Sequence, residues 1–104
     1  MAEITVPRGD YGYDLAFTVQ DSAEVAYNLT GYTITLKMWL PGKPGNLELE
    51  GACDIVVAAS GTCKYTVVTG DFPSARKYEA ELELTKVGAV ESTEPFDIIV
   101  AESG

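Results

Sequence analysis

Residues 31–40, GYTITLKMWL, alternate without a break. Tyr32, Ile34, Leu36, Met38 and Leu40 fall on one side, and Thr33, Thr35, Lys37 and Trp39 on the other. A period of two predicts a half-buried strand whose even positions form a core face. The same period recurs along the chain. Ala2 to Val6 is short, β-prone and closed by Pro7, a residue suited to a sheet edge because it donates nothing to a ladder. Residues 12–20 place Tyr13, Leu15, Phe17 and Val19 on one face. Residues 47–50, LELE, alternate briefly, and ACDIVV and TCKYTVV read as a hairpin around AASG, with Cys53, Ile55 and Val57 sharing one parity and Cys63, Tyr65 and Val67 another. Residues 77–85 direct Tyr78, Ala80, Leu82 and Leu84 inward and Lys77, Glu79, Glu81, Glu83 and Thr85 to water. Residues 94–102 put Phe96, Ile98 and Val100 on a last core face.

The segment ARKYEAELELTKV is rich in good helix formers. A helical stripe accommodates Tyr78 and Leu82 but misplaces Leu84, whereas the two-residue period fits every inward position, so pattern outweighs propensity. A local helical turn near Phe72 to Ala75 is an alternative that the sequence leaves open. The connections carry turn chemistry: Asn28, Thr30 and Gly31 before one strand, PGKPGN after it, and Gly70 to Pro73 before another. Seven or eight short strands with turns roughly every 8–12 residues predict an all-β antiparallel sandwich. Its 104 residues make one domain, residues 1–104.

Charge changes the picture of partners. Sixteen acidic and seven basic residues leave a net charge of −9. Nucleic acid and anionic membrane surfaces call for a positive footprint, so neither is an expected partner. The longest apolar run, Ile55 to Ala59, falls far short of the roughly 20 residues that span a bilayer. The start, MAEITVPRGD, lacks the basic flank and apolar stretch of a secretory signal.

Candidate chemistry is sparse. There is no histidine, so serine–histidine and cysteine–histidine pairs cannot be assembled. Glu79, Glu81 and Glu83 form a solvated row and not a pair flanking a cleft. Asp10 with Asp14, or Asp21 with Glu24, lack the dense motif of a calcium loop. No cofactor, metal or catalytic residue is expected. Asn28-Leu29-Thr30 matches a glycosylation acceptor but reads more simply as a turn. Cys53 and Cys63 lie on the same face of neighbouring strands, and either a bridge between them or two small buried hydrophobes fits. Tyr78 opens a late strand after a long turn, a position like the tyrosine corner of immunoglobulin-like sandwiches, and core packing fits it equally. Trp39, the one tryptophan, stands on the polar face of its strand. It is expected to face outward as a contact anchor, flanked by Thr33, Thr35 and Lys37.

Four stretches in order carry a family resemblance: RGDYGYDLAFTVQD, NLTGYTITLKMW, SGTCKYTVVTGDF and ARKYEAELELTKVGAVESTEPFDIIV. Together they resemble the N-terminal immunoglobulin-like domain of phage baseplate upper proteins, from about Ile4 to Val100. One departure is Arg76, where the family often has glycine two residues before the late tyrosine. The resemblance implies a non-enzymatic structural module of a phage or prophage tail or baseplate. It would self-associate or dock on other tail proteins, and would reside in the virion after assembly in the bacterial cytoplasm. An alternative is an adhesion or carbohydrate-binding sandwich on a cell or particle surface, in which exposed aromatics stack on sugar rings.

Overall fold

The computed structural model describes residues 3–20, 23, 25–43, 45–93 and 95–102. The alternating segments form eight strands among the described residues: β1 (Glu3–Pro7), β2 (Asp14–Thr18), β3 (Thr33–Trp39), β4 (Leu47–Val57), β5 (Thr62–Thr66), β6 (Lys77–Lys86), β7 (Ala89–Ser92) and β8 (Phe96–Ala101). They pair in the order β1-β8-β6-β3-β4-β5-β2, with β7 also on β6. The fold is all-β and sandwich-like, a mixed sheet curled so that its two ends face each other across the core. The pairings are antiparallel except one: β1 runs parallel to β8. Pro7 lies on that edge strand, where its missing N–H costs no ladder bond.

The core is drawn from the faces that alternation selects. Ile34, Leu36 and Met38 of β3, Tyr78, Ala80, Leu82 and Leu84 of β6, and Phe96, Ile98 and Val100 of β8 are all buried. Connections add two plugs that periodicity does not select. Leu29 is fully buried and its N–H donates to the Ala58 carbonyl (2.9 Å). Phe72 is buried and its carbonyl accepts from Gly9 N–H (3.0 Å). The segment Phe72 to Ala75, where the sequence leaves a helical turn open, is a series of bends with Phe72 buried.

One departure from the pattern is β4. LELE and ACDIVV are one continuous strand of eleven residues. Its first part, through Cys53, pairs with β3, and its last part, from Asp54, pairs with β5. One strand thus belongs to both layers. Gly51 makes the passage feasible. A Cβ there would lie 2.3 Å from Cε1 of Tyr65, because the Tyr65 ring lies directly against the glycine backbone. The ring is anchored at its far end, where its hydroxyl donates to Asp71 Oδ2 (2.5 Å). The same carboxylate oxygen accepts from Val68 N–H (2.9 Å). Beyond Cys53 the strand leaves the core. Ile55 and Val57, which share the parity of Cys53, are exposed, together with Val56. A bulge between Ile55 and Val57 interrupts the alternation at the sheet margin.

The β4–β5 link, AASG, is a 3₁₀ turn over Ala58–Ser60 that ends at Gly61 with φ +69°. A Cβ at Gly61 would lie 2.4 Å from the Val19 carbonyl oxygen, so glycine is required twice, for its dihedral and for its neighbour. On β6, the far edge is shared by β8 at Lys77–Ala80 and β7 at Glu83–Lys86. Thr93 closes the gap between them: its hydroxyl accepts from Leu82 N–H (3.0 Å) and its N–H donates to Leu82 O (2.9 Å).

Two measurements test this frame. Gly51→Ala drives a methyl into a ring held from behind, and overpacking of this kind costs about 1–3 kcal/mol in chemical denaturation. A stability equal to that of the parent chain contradicts the close approach. The Tyr65 hydroxyl is pushed above its ordinary pKa of 10.0, first by burial and then by the Asp71 carboxylate. Its folded value is raised, so its contribution is fully present below pH 10 and is lost as the pH rises from there towards the folded value. Tyr65→Phe therefore flattens the alkaline limb of the stability curve, which thermal melts across pH 8 to 12 measure directly.

Candidate functional site

Register sets which side chains share the outward face of the larger layer. Across it, Glu3, Asp97, Glu79, Trp39 and Leu47 form one row, and Glu81, Lys37 and Glu50 another. Ser92, Glu83, Thr35 and Ala52 form a third, and Val90, Thr85 and Thr33 lie at the end. The face thus gathers six carboxylates, those of Glu3, Glu50, Glu79, Glu81, Glu83 and Asp97, and two lysines, Lys37 and Lys77. Both lysines are engaged. Lys37 Nζ donates to Glu83 Oε2 at 2.8 Å and lies 4.0 Å from Glu50 Oε2. Lys77 Nζ is 3.5 Å from Asp97 Oδ2. The Lys37 ammonium is held above its ordinary pKa, chiefly by the Glu83 hydrogen bond, and it pins the centre of the acidic face.

The structure brings Thr33, Thr35, Lys37 and Trp39 together on this face, and it corrects the expectation for Trp39. The ring keeps its polar-side register opposite Glu79, yet it is only 5% exposed. Its Nε1–H donates to Glu79 Oε1 (3.2 Å), and Gly42 N–H reaches the same oxygen (3.5 Å). The connection after β3 therefore lies against this corner. On the β4 side Glu48 is an extra residue, so that Met38 pairs with Leu49 and Trp39 with Leu47. Parity reports which face a side chain leaves from, but not whether a loop returns over it. Trp39 is a buried support of the face and not its exposed anchor.

The structural residues also have definite places. Cys53 pairs with Ile34 and Cys63 with Ile55, so the cysteines are offset by two positions and are not directly opposed. Both are free thiols. Burial pushes Cys63 up to about 11, and burial together with the neighbouring Cys63 pushes Cys53 up to about 12. Thiols so far above neutrality are inert as nucleophiles. Tyr78 is buried in the core with the Arg76 guanidinium 5.7 Å from its ring centroid. The tyrosine whose hydroxyl ties a loop is Tyr65, through Asp71. Arg76 also serves the backbone, its carbonyl accepting from Val100 N–H (2.8 Å). Asp14 is occupied by Lys64 (3.4 Å) and by the Thr66 hydroxyl (2.6 Å). Asp21 and Glu24, the other pair considered for calcium, lie outside the described residues. Asn28 Oδ1 accepts from Thr30 N–H (3.0 Å) and from the Thr30 hydroxyl (2.7 Å), the turn that its sequence context predicts.

One cluster escaped the sequence reading. At the end of the sandwich where the β2–β3 connection meets the β6–β7 hairpin, the hydroxyls of Tyr27 and Tyr32 lie 3.3 Å apart. Both donate to Glu91 Oε2, Tyr32 at 2.8 Å and Tyr27 through a very short bond. The two rings meet edge to face at 5.9 Å, and Lys86 Nζ stands 4.6 Å from the Tyr32 centroid. Glu91 is held below its ordinary value of 4.5 by these two hydroxyls, Tyr27 foremost, and by Lys86. The Tyr27 hydroxyl is pushed up in return. These groups lie 59 and 64 positions apart along the chain, and no local pattern links them.

The chain is similar in fold to a phage protein domain. Its structure matches the N-terminal domain of phage TP901-1 ORF48 with a TM-score of 0.65, over 98% of this chain and 100% of that chain. Identity between the two is 17%, so the likeness is one of fold. No protein-family model matches the sequence, and no curated protein matches it.

The tyrosine clasp has a predictable pH response. Glu91 is depressed in the folded state, so its contribution is present above pH 4.5 and is lost as the pH falls through its folded value. Tyr27 and Tyr32 ring resonances in NMR are expected to shift together below pH 4.5. In Glu91→Gln that transition disappears; its persistence would place the titrating group elsewhere.

Proposed function

We propose that this chain is a non-enzymatic assembly module of a phage or prophage tail or baseplate, acting through protein–protein contacts. The observation that carries the reading is the structural likeness to a phage protein domain, which spans 98% of this chain and 100% of that one. The ordered motif resemblance to baseplate upper proteins points the same way. The chemistry of the chain supports it too: the thiols are buried and inert, and there is no histidine to activate a nucleophile.

Docking is assigned to the outward face of β3, β6 and β8. Carboxylates dominate this face. Thr33, Thr35 and Lys37 belong to it, and Trp39 supports it from beneath. Charge complementarity calls for a basic surface on the partner, and charged rims of this kind steer association and specify partners. Self-association through the same face would set carboxylates against carboxylates, so a different tail protein fits it better than a second copy.

Glu81→Gln combined with Glu3→Lys neutralises one carboxylate and reverses another, keeping the partners of the Lys37 and Lys77 ion pairs and setting no cation opposite Lys37. The double variant is expected to fold normally by circular dichroism. It should lose co-purification with candidate phage tail and baseplate proteins that the parent chain captures, with affinity reduced about tenfold or more. Unchanged capture of those partners by the variant would overturn the assignment of this face. Capture of none of the candidates by the parent chain would overturn the assembly role itself.

A further inference from the structure

The Tyr27–Tyr32–Glu91 clasp borders a wide-open surface cleft of about 450 Å³, lined by Ala26, Tyr27, Asn28, Thr30, Tyr32 and Lys86. That volume lies within the range of small-molecule sites, and the lining combines aromatic rings with hydrogen-bonding groups. We propose that this cleft binds a neutral pyranose saccharide. The proposal is independent of the docking face, which lies on a different part of the surface.

Three features select this class of ligand. The first is shape and rigidity. A pyranose offers a face of C–H groups and a rim of hydroxyls, and C–H groups pack favourably on the negative face of an aromatic ring. Tyr27 is fixed in advance, edge to face with Tyr32 and with both hydroxyls held on Glu91, and it is the ring that offers a stacking face because Lys86 Nζ faces Tyr32 at 4.6 Å. Ordering these rings therefore adds little to the cost of binding.

The second feature is the supply of polar groups. The Asn28 carboxamide spends its oxygen on the Thr30 N–H and hydroxyl, which leaves its NH₂ as a donor. The Thr30 hydroxyl donates inside that turn and keeps acceptor capacity. Lys86 is exposed and brings further donors to the rim. Sugar hydroxyls both donate and accept, and this set serves both needs.

The third feature is charge. An anionic ligand is opposed by the Glu91 carboxylate, which lies behind the lining on the two tyrosine hydroxyls, and by a net charge of −9. A cationic ligand finds the Tyr32 ring already faced by the Lys86 ammonium at 4.6 Å. A neutral polar ligand with one apolar face satisfies both restrictions. Nucleic acid is disfavoured by the same charge balance.

The test is an NMR titration of the whole chain with glucose, galactose and N-acetylglucosamine, with choline chloride as a cationic control. At least one sugar is expected to give saturable shifts confined to residues 26–32 and the neighbourhood of Lys86, with a dissociation constant on the order of 1–10 mM. Tyr27→Ala should weaken that binding about tenfold, with dispersion of the amide spectrum showing that the fold is kept. Lys86→Ala, at an exposed position, provides a second variant and is expected to weaken binding without altering the core spectrum. Absence of saturable shifts with all three sugars overturns the proposal, as do shifts centred elsewhere. Binding of choline in preference to the sugars overturns it in favour of a cation site.

Discussion

The structure depends on the passage of one strand between two layers. β4 begins as a partner of β3 and ends as a partner of β5, and the turn of the sheet occurs where Gly51 lies beneath the Tyr65 ring. A side chain at residue 51 would separate the layers there, and a smaller residue at 65 would leave the space unfilled. Asp71 completes the arrangement. It holds the Tyr65 hydroxyl and caps the turn that follows β5 with the same oxygen, so that the strand crossing, the ring and the return loop are fixed as one unit. Strand β2 is positioned through its pairing with β5 and hence through this contact.

Electrostatics are distributed in a complementary way. The core contains no buried charged residue among the described residues. Carboxylates instead accumulate on the outward face of the larger layer, where Glu79, Glu81 and Glu83 alternate with the core residues of β6. Rows of like charge on adjacent strands repel. Lys37, at the centre of β3, relieves this by reaching Glu83 and Glu50, and Lys77 does the same for Asp97. The face therefore retains its acidic character while its centre is internally pinned. The tyrosine clasp at the end of the sandwich uses the other option, neutral donors converging on a single carboxylate.

Much of this was legible in the pattern of residues. The strands built on residues 34–38, 78–84 and 96–100 follow strict alternation, because each has one face on the core and one towards solvent, and burial then imposes a period of two. The strand β6 is the sharper case, since its composition favours helix and its periodicity does not. Where the reading erred, the missing information was non-local. LELE and ACDIVV look like two strands because glycine interrupts the alternation, and only the Tyr65 ring across the sheet explains why the strand continues. Ile55 and Val57 share the parity of Cys53 but lie beyond the margin of the opposing layer. Trp39 leaves from the polar face, and the loop after β3 returns against it.

The sequence by itself determined the all-β class, most of the strand positions, the principal core faces and the acidic balance, because these follow from local periodicity, turn chemistry and composition. Tertiary structure alone decided which strand spans both layers, that the two cysteines are offset by two positions, that the tryptophan is covered, and that Tyr27, Tyr32, Lys86 and Glu91 meet at one end of the sandwich. The physical reason is the same in each instance. These features rest on contacts between residues far apart in the chain, and a two-residue period carries the direction of a side chain but not the identity of what it meets.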